Sequence, residues 1–413
     1  MKSLSQTSPL MIAGFLLLLL VTACGRSEEE TTTAPGSAPS ATDEQSTPAP
    51  TQTAVATTDE PIRLPSSATG LAFWSHPTLP FESLIIAATG TGLYSHTLEG
   101  QSPATIIDGF TAYGLSIAYR ASADDSGYME GILATYDQDN QAFRFFRIQN
   151  DNQEFVEDIV SLPWRTGTGT NSETNPAPTA FCLINTGDNG LSLVIYAEQG
   201  RATYTLPTNT PTLSRDQLQT SAMDTTITQC VGDHETGEIF SLDQSGALYK
   251  NNLDQSPKIL RPAGTASIDG KARDIALGHF LVNEERTRSV YMLNAENGVV
   301  TIVNAANGET QGAINLGEFS DLSGVAGATR LAVGSDNFGG IYRAGAVALA
   351  SLDAEKAAVR LTSLLAVARA LGISIEGPSG IRAMERLQAQ QDNARGPVFE
   401  SPKTPELNFS PQR

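Results

Sequence analysis

The chain of 413 residues carries 26 lysines and arginines against 45 aspartates and glutamates, which gives a formal net charge of −19. This excess of negative charge disfavours binding to nucleic acid or to an anionic membrane surface, and it repels polyanions unless bound cations reverse the local sign. With 36 glycines and 7% aromatic residues, the composition suits many short strands and tight turns, and an ordinary β-sandwich has a similar composition.

Residues 1–24 have the pattern of a targeting segment. Lys2 supplies positive charge, residues 10–20 form an apolar run too short for an ordinary membrane-spanning helix, and residues 21–24 resemble the bacterial lipobox. The pattern predicts that Cys24 is acylated and becomes the amino terminus of a lipoprotein. An ordinary signal peptide with a chance cysteine is the alternative. Because Gly25 and not an aspartate follows, the analogy with lipoprotein sorting indicates the outer membrane, and we expect a lipid-anchored protein of the bacterial cell envelope.

Residues 25–61 are predicted to be a disordered tether. They consist almost entirely of Ser, Thr, Pro, Ala and Glu, without the apolar periodicity that would offset the entropic cost of ordering them. A solvated spacer of this kind holds a folded domain away from a lipid surface. We therefore expect the tether to contribute no contact to the core of the domain.

A hairpin pattern recurs six times beyond the tether, each time as an apolar strand, a turn rich in Gly, Asn or Asp, and a second strand. Flanking apolar runs at 71–74, 115–119, 181–185 and 275–282 would complete the blades of a propeller. The sequence therefore predicts an all-β fold, a six-bladed β-propeller over residues 62–352. The hairpins lie 41–60 residues apart, a spacing typical of propeller blades, and start at Ser83, Gly131, Leu191, Gly237, Ser289 and Arg330.

A change of character after residue 352 predicts a short C-terminal helical appendage over residues 353–391. Asp353 is expected to cap a helix that ends at Gly372, with an apolar face that includes Val359, Leu361 and Leu364. A second short helix is expected over 379–391, followed by a Pro-rich, disordered tail over 392–413. The helices either dock a protein partner or pack on a face of the propeller.

The hairpin at residues 228–250, TQCVGDHETGEIFSLDQSGALYK, carries the most recognisable motif of the chain. Residues 237–242 and 247–250 are expected to pair across a turn at 243–246. The motif resembles the acidic hairpin of the β-propeller phytases. The match holds at Cys230, Val231, Asp233, Glu235, Gly237, Phe240, Ala247 and Lys250. Over residues 66–352 the resemblance continues through GLAFWSHP from Gly70, SLII from Ser83, GLY from Gly92 and FCL from Phe181.

The resemblance implies a calcium-dependent 3-phytase, in which clustered carboxylates hold calcium ions and Lys and Arg bind the phosphates of myo-inositol hexakisphosphate. Most of the positions implied for these groups are substituted, namely Thr69, Gly70, Thr89, Gly90, Gln138, Glu198, Thr228 and Gln244, while Arg273 and Ser323 lie at or near positions usually held by acids. Asp233, Glu235 and Asp243 remain as a candidate calcium site, and three solvated turn residues are the alternative. The histidines show no metal-ligand spacing.

The resemblance also places cysteines at Cys182 and Cys230, which are the only cysteines after Cys24. An oxidising periplasm permits a disulfide between them, because they begin successive hairpin units whose strands are expected to lie near one another. Two separately buried thiols are the alternative.

Two functions are open at this point. The substitutions favour a membrane-anchored lipoprotein whose phytase-like propeller is a non-catalytic binding or scaffolding module for an unidentified protein or small molecule. The retained pattern keeps a working calcium-dependent 3-phytase as the alternative. A propeller that binds a carbohydrate or peptide at its central channel is not separable from the first function by sequence. Calcium is the one cofactor that the resemblance suggests, and nucleic acid is not an expected partner.

Overall fold

The computed structural model describes residues 52–56, 61–98, 103–120, 128–164, 175–186, 190–198, 200–206, 219–222, 225–264, 271–294, 296–317, 325, 327–352, 357–385 and 387. The predicted targeting segment with Cys24, most of the tether and the tail at 392–413 lie outside these residues. The described strands form six sheets, five of four strands and one of five. Their inner strands contact one another in a closed ring, which confirms the predicted six-bladed β-propeller.

The first three blades each consist of four antiparallel strands that follow one another from the channel outward. Blade 1 contains β3 (Ala68–Trp74), β4 (Leu84–Thr89), β5 (Gly92–Thr97) and β6 (Pro103–Asp108). Blade 2 contains β7 (Ala112–Arg120), β8 (Glu130–Asp137), β9 (Ala142–Ile148) and β10 (Phe155–Pro163). Blade 3 contains β11 (Pro178–Asn185), β12 (Leu191–Ala197), β13 (Gly200–Leu206) and β14 (Gln219–Ala222).

Blade 4 has the same order, whereas blades 5 and 6 each have an outer strand from the N-terminal part of the chain. Blade 4 contains β15 (Ile227–Gly232), β16 (Glu238–Asp243), β17 (Leu248–Asn252) and β18 (Lys258–Arg261). Blade 5 contains β19 (Ala272–Val282), β20 (Glu285–Asn294), β21 (Val300–Asn304), β22 (Thr310–Gly317) and, at its outer edge, β1 (Gln52–Ala56). Blade 6 contains β23 (Ala328–Gly334), β24 (Ala346–Leu352), β25 (Ala357–Ser363) and the outer strand β2 (Ile62–Arg63).

The second strand of a blade is buried on both faces because the neighbouring blades pack against it. Every residue of β4, β8 and β12 is buried. Their sequences are accordingly near-continuous apolar runs, as strands covered on both faces require. The four apolar runs predicted to flank the hairpins lie in β3, β7, β11 and β19, the innermost strands of their blades.

The predicted helix from Asp353 to Gly372 is wrong over residues 357–363. Residues 357–363 form β25, and the helix α1 covers only Leu364–Ala370. All seven residues of β25 are buried, because β24 lies on one side of it and β2 on the other. A segment buried all round shows no period that separates a strand from an apolar helix. The propeller therefore extends to residue 363 and not to 352.

Gly372 ends the helical segment as predicted. Its φ of 71° is the left-handed conformation that favours glycine after a helix, and its N–H donates to the carbonyl oxygen of Arg369. Of the second predicted helix, residues 381–385 and 387 are helical, residues 379 and 380 are not, and the rest lies outside the described residues. In the described part of the chain, no helix has the length and apolar character needed to span a membrane.

The expectation that the tether makes no core contact is wrong at residues 52–56. They form β1, which pairs in parallel with β22 and places Val55 opposite Leu316. Val55 is only 4% exposed and belongs to the apolar cluster that contains Ile302 and Ile314. The sequence of β1, QTAVA, contains one large apolar residue, so neither periodicity nor composition distinguishes it from the rest of the tether.

Deleting residues 52–56 is expected to lower the free energy of unfolding by about 2 kcal/mol, the value for burying one valine side chain. Urea unfolding of a chain that starts at residue 57 measures the loss. A chain that starts at residue 48 is the control, and it is expected to match the chain that starts at residue 25. Equal midpoints for all three chains would show that β1 adds no stability.

Candidate functional site

The central channel lies among the six inner strands β3, β7, β11, β15, β19 and β23. Its middle has a volume of about 150 Å³. Where the inner strands begin, the channel meets a cavity of about 620 Å³ lined by Thr228, Asp243, Lys271, Arg273 and Arg330 among others, called here the upper mouth. Where the inner strands end lies a cavity of about 160 Å³ lined by residues that include Asp233, Glu235, His279 and Asp336, called here the lower mouth.

A β-bulge recurs at the start of every inner strand, at the upper mouth. A bulge places an extra residue in one strand and redirects its side chain. The bulge of blade 2 contains Gly114, with φ of 69°, and the bulge of blade 5 contains Arg273. In the other four blades the extra residue is a threonine whose hydroxyl group donates to a backbone carbonyl oxygen 2.8–3.3 Å away, namely Thr69, Thr179, Thr228 and Thr329.

These bulges account for two of the substituted phytase positions. Thr69 donates to the carbonyl oxygen of Ala112 in blade 2, and Thr228 donates to the carbonyl oxygen of Leu242 in its own blade. Both hydroxyl groups therefore hold backbone in place. Neither side chain supplies the negative charge that calcium binding would need at these positions.

Asp243, the remaining acid of the hairpin turn, is occupied by its own hairpin. Its Oδ1 accepts hydrogen bonds from the backbone N–H of Ser245 at 2.8 Å, from the Ser245 hydroxyl at 2.6 Å and from the N–H of Ala247 at 2.9 Å. Its Oδ2 accepts from the hydroxyls of Thr225 and Tyr249 at 3.1 and 3.2 Å. Burial opposes ionisation, but these donors outweigh it and lower the pKa of Asp243. Five donors occupy a carboxylate that has about four lone-pair positions.

Three cationic side chains line the upper mouth, and sequence reasoning missed them as a group. Lys271 and Arg273 are exposed at the start of β19, and no described residue forms an ion pair with either. Arg330 is held in place, because its Nε donates to the carbonyl oxygen of Thr69 at 2.6 Å and its Nη1 to that of Thr329 at 2.8 Å. The described lining of this cavity contains one carboxylate, Asp243.

Asp274 lies just below the upper mouth and joins blades 5 and 6. Its Oδ2 accepts from the N–H of Leu331 at 2.7 Å, and its Oδ1 accepts from the N–H of Ile275 at 3.0 Å. Burial raises the pKa of this carboxyl to about 6, although Arg330 and the two hydrogen bonds favour the charged form. At neutral pH the Asp274 carboxylate is therefore charged although burial disfavours the charged form, and the positive charge of Arg330 offsets part of this cost.

The three predicted calcium ligands do not come together. Asp233 and Glu235 lie in the turn before β16 at the lower mouth, whereas Asp243 lies at the opposite end of that strand. His279 takes the third place, since one ligand atom from each of Asp233, Glu235 and His279 lies within 4.8 Å of the others. The packing of β19 in blade 5 against β15 in blade 4 brings His279 to this mouth. His279 was missed in the sequence because it lies far along the chain from the other two residues.

The lower-mouth group does not suit calcium, because arginines already bind its carboxylates. Arg288 Nη1 lies 2.5 Å from Asp233 Oδ2, and Arg286 forms an ion pair with Glu235. Calcium prefers an all-oxygen ligand set, and the third group here is an imidazole. Burial opposes ionisation of Asp233, but the hydrogen bonds from Arg288 and Thr236 and the electrostatic effects of His279 and Arg288 together outweigh it and lower the pKa. The group is an ionic network in which Asp233 is buried and Glu235 is exposed.

His279 is neutral at physiological pH. Burial lowers its pKa to about 4, and the positive charge of Arg288 acts in the same direction while Asp233 opposes it. The side chain is 13% exposed, and its Nε2 has no hydrogen-bond partner among the described residues. Its distance of 3.9 Å to Glu235 therefore does not represent an ion pair at neutral pH.

The C-terminal residues 376–385, called here the strap, cross the lower mouth. Asp336 of blade 6 accepts from the N–H of Ala383 at 2.9 Å, and Glu376 N–H donates to the carbonyl oxygen of Leu281 in blade 5. Arg382 is fully buried over the ring of Tyr119 and donates to the carbonyl oxygen of Ser75. The strap thus braces four blades. It also leaves the upper mouth as the wider of the two described cavities at the ends of the channel.

A disulfide joins Cys182 to Cys230, with the Cα atoms 5.7 Å apart. Cys182 lies in β11 and Cys230 in β15, so the bond links the inner strands of blades 3 and 4. Of the other substituted positions, Gln244 lines the upper mouth, whereas Gly70, Thr89, Gly90, Gln138 and Glu198 are not part of its described lining. Thr89 donates to the carbonyl oxygen of Gly92 within its own turn, and Ser323 lies outside the described residues.

The sequence matches no family model and no curated protein. Among solved structures, U3-55K is 11% identical, with a TM-score of 0.42 over 71% of this chain and 77% of that chain. A regucalcin from Agrobacterium tumefaciens, a calcium-binding protein, is 11% identical, with a TM-score of 0.44 over 80% of this chain and 98% of that chain.

A quinoprotein alcohol dehydrogenase-like protein from Bacteroides thetaiotaomicron is 12% identical, with a TM-score of 0.32 over 60% of this chain. The match spans about half of that structure, 54%. These similarities bear on the fold alone.

Proposed function

We propose that this chain is a lipid-anchored binding module of the bacterial cell envelope, and that its propeller holds a ligand at the upper mouth without cleaving phosphomonoesters. The observation that carries the proposal is the occupied carboxylate of Asp243, whose two oxygens accept five hydrogen bonds from Thr225, Ser245, Ala247 and Tyr249. A side chain that builds its own turn is not available to hold a metal ion or to activate a water.

The chemical requirements of phosphate release also support a propeller that binds a ligand without cleaving phosphomonoesters. Cleaving a phosphomonoester requires nearby cations that neutralise the negative charge of the transferring phosphoryl group, and it requires an activated water. Calcium ions held by several carboxylates would supply both. The resemblance to β-propeller phytases implies such clusters, but threonine, arginine and glutamine hold the corresponding positions Thr69, Thr228, Arg273 and Gln244. Binding requires none of these acids, and the wide upper mouth offers room for a ligand.

The mature protein with millimolar calcium is expected to release little or no phosphate from myo-inositol hexakisphosphate. Losing even one preorganised electrostatic group commonly costs about 100-fold in rate, and several are replaced here. A phosphate-release assay with and without a calcium chelator measures the outcome. Release at the rate of an ordinary enzyme, abolished by the chelator, would overturn the proposal in favour of a calcium-dependent 3-phytase.

The lipid anchor rests on the sequence of residues 21–24 and has its own test. Replacing Cys24→Ser is expected to leave the leader uncleaved or to release the protein from membranes, because acylation needs the thiol. One acyl chain gives only marginal membrane binding, so the several chains of a mature lipoprotein are required. Metabolic labelling with a fatty acid and membrane fractionation measure this, with Ser27→Ala as a control outside the lipobox. Unchanged processing and membrane retention of the Cys24→Ser protein would contradict the anchor.

A further inference from the structure

The bulges of the upper mouth depart from the threonine repeat in two blades, with Gly114 in blade 2 and Arg273 in blade 5. The six inner strands begin with equivalent bulges, and four of them carry a threonine that donates to a backbone carbonyl oxygen. In blade 5 the same position holds Arg273, an exposed side chain without an ion pair among the described residues. The bulge does not require arginine, since threonine holds this position in four other blades and the bulge of blade 2 contains Gly114. Arg273 is therefore present for something other than the fold.

The neighbours of Arg273 give the upper mouth a local charge opposite to that of the whole chain. Lys271 is exposed two residues before it, and Arg330 of the next blade lines the same cavity. Asp274 compensates Arg330 from below, and the donors of its own turn occupy Asp243. Lys271 and Arg273 are thus left uncompensated within the described residues, in a protein of net charge −19.

The other lining groups suit a polar ligand. Tyr113, Gln229 and Gln244 line the cavity with side chains that donate hydrogen bonds. A volume of about 620 Å³ lies within the range of small-molecule sites. Arginine binds planar or tetrahedral anions through a rigid pair of donors, and lysine binds them as a point charge.

We infer that the upper mouth binds a small anionic ligand with phosphate or carboxylate groups, held by Arg273 and Lys271 and oriented by Arg330. The inference rests on the proposed function in one respect, that the ligand is bound and not cleaved. The strong negative charge of the rest of the surface restricts long-range attraction of anions, so recognition depends on these contacts.

Isothermal titration calorimetry on the complete mature protein tests the site, with inorganic pyrophosphate and citrate as probes at constant ionic strength. Wild-type protein is expected to bind at least one probe. Arg273→Thr restores the residue found in four other blades, so it is expected to keep the thermal midpoint while weakening binding about tenfold, the loss for one charged hydrogen bond. Arg273→Lys is expected to lose less.

A double variant, Lys258→Gln with Arg343→Gln, is the matched control for Lys271→Gln with Arg273→Gln. Both pairs remove two exposed cations, but Lys258 lies on the outer strand β18 and Arg343 follows the turn Gly340–Tyr342, so neither lines the upper mouth. The control is expected to bind as wild type does. Equal weakening in both double variants, or no heat from either probe at millimolar concentration, would overturn the site.

The two probes distinguish a phosphate ligand from a carboxylate ligand, and together with an assay for orthophosphate they test the anion site and the non-catalytic function separately. Binding of pyrophosphate alone indicates a phosphate ligand, binding of citrate alone a carboxylate ligand, and each of these supports the site. Orthophosphate measured after the pyrophosphate titration shows whether the protein cleaves the bound pyrophosphate. Binding accompanied by release of orthophosphate would leave the site standing and sink the non-catalytic function. Absence of both binding and release would sink the anion site and leave a non-catalytic module with a different ligand.

Discussion

Replacing Cys182 and Cys230 together with alanine is expected to lower the free energy of unfolding by ~4 kcal/mol. The disulfide spans 48 residues, and closing a loop of that length removes entropy from the unfolded chain by about this amount on the chain-entropy model. It also joins the inner strands of two blades next to the channel. Urea unfolding of protein from an oxidising compartment, followed by intrinsic fluorescence, measures the loss.

Reduction provides the matched control for this prediction. Wild-type protein in a phosphine reductant is expected to unfold at the same urea concentration as Cys182→Ala, because either treatment opens the same loop. The reductant is expected to leave the Cys182→Ala protein unchanged. If oxidised and reduced wild type unfold at the same urea concentration, or if mass spectrometry finds two free thiols, the bond does not contribute as described.

Acidification is expected to affect variants of Asp274 and His279 in opposite directions. The pKa of Asp274 is about 6 in the folded protein against an ordinary value of 3.8. The contribution of Asp274 to the free energy of unfolding is fully present below pH 3.8 and is lost as the pH rises through about 6. The pKa of His279 is about 4 against 6.5. The contribution of His279 to the free energy of unfolding is present above pH 6.5 and is lost as the pH falls through about 4.

The two contributions are each roughly 3 kcal/mol and oppose one another between about pH 4 and pH 6.5. In wild type they nearly cancel. In Asp274→Asn only the loss from His279 remains, so stability is expected to fall on acidification by roughly 3 kcal/mol more than in wild type. In His279→Gln only the gain from Asp274 remains, so stability is expected to rise by a similar amount relative to wild type.

Urea unfolding at several pH values measures both effects, and the double variant is the control that returns the pH profile to that of wild type. The other titratable groups around these side chains, which include Arg330 at Asp274 and Asp233, His234, Glu235 and Arg288 at His279, remain in every variant and cancel in the comparison. Identical pH profiles for wild type and both single variants would show that neither group titrates as its burial requires.

Local patterns were sufficient to predict the propeller, because each blade contains a hairpin that sequence reveals. The hairpin predicted at residues 237–250 is β16 and β17, displaced by about one residue at the strand ends. β25 was missed because every one of its residues is buried, and β1 because it has one large apolar side chain, Val55. β1 is a strand because it pairs with the distant β22, and β25 pairs with β24 on one side and with the distant β2 on the other.

The site was less predictable for the same reason. Asp233 and Glu235 are two residues apart, but His279 joins them only through the packing of blade 5 on blade 4. Asp243 looks like a free acid in sequence, since hydrogen bonds from Thr225 and Tyr249 depend on the folded turn. The bulges left one signal in the sequence, a threonine at the start of most inner strands, against which Arg273 stands out once the blades are aligned.

Blade 6 also sets the order in which the ring forms. Its outer strand β2 comes from the beginning of the domain and pairs with β25 near its end, with Ile62 opposite Val359. Such a distant pairing carries a large loop-closure cost and is typical of slow folding. During synthesis β2 emerges before all six inner strands and has no partner until β25 is made, so closure of the ring is the final step for a chain whose earlier blades have already folded. Before β2 pairs with it, the outer edge of β25 presents unpaired backbone N–H and C=O groups. At this edge an incompletely folded chain is most exposed to association with other copies of the same chain.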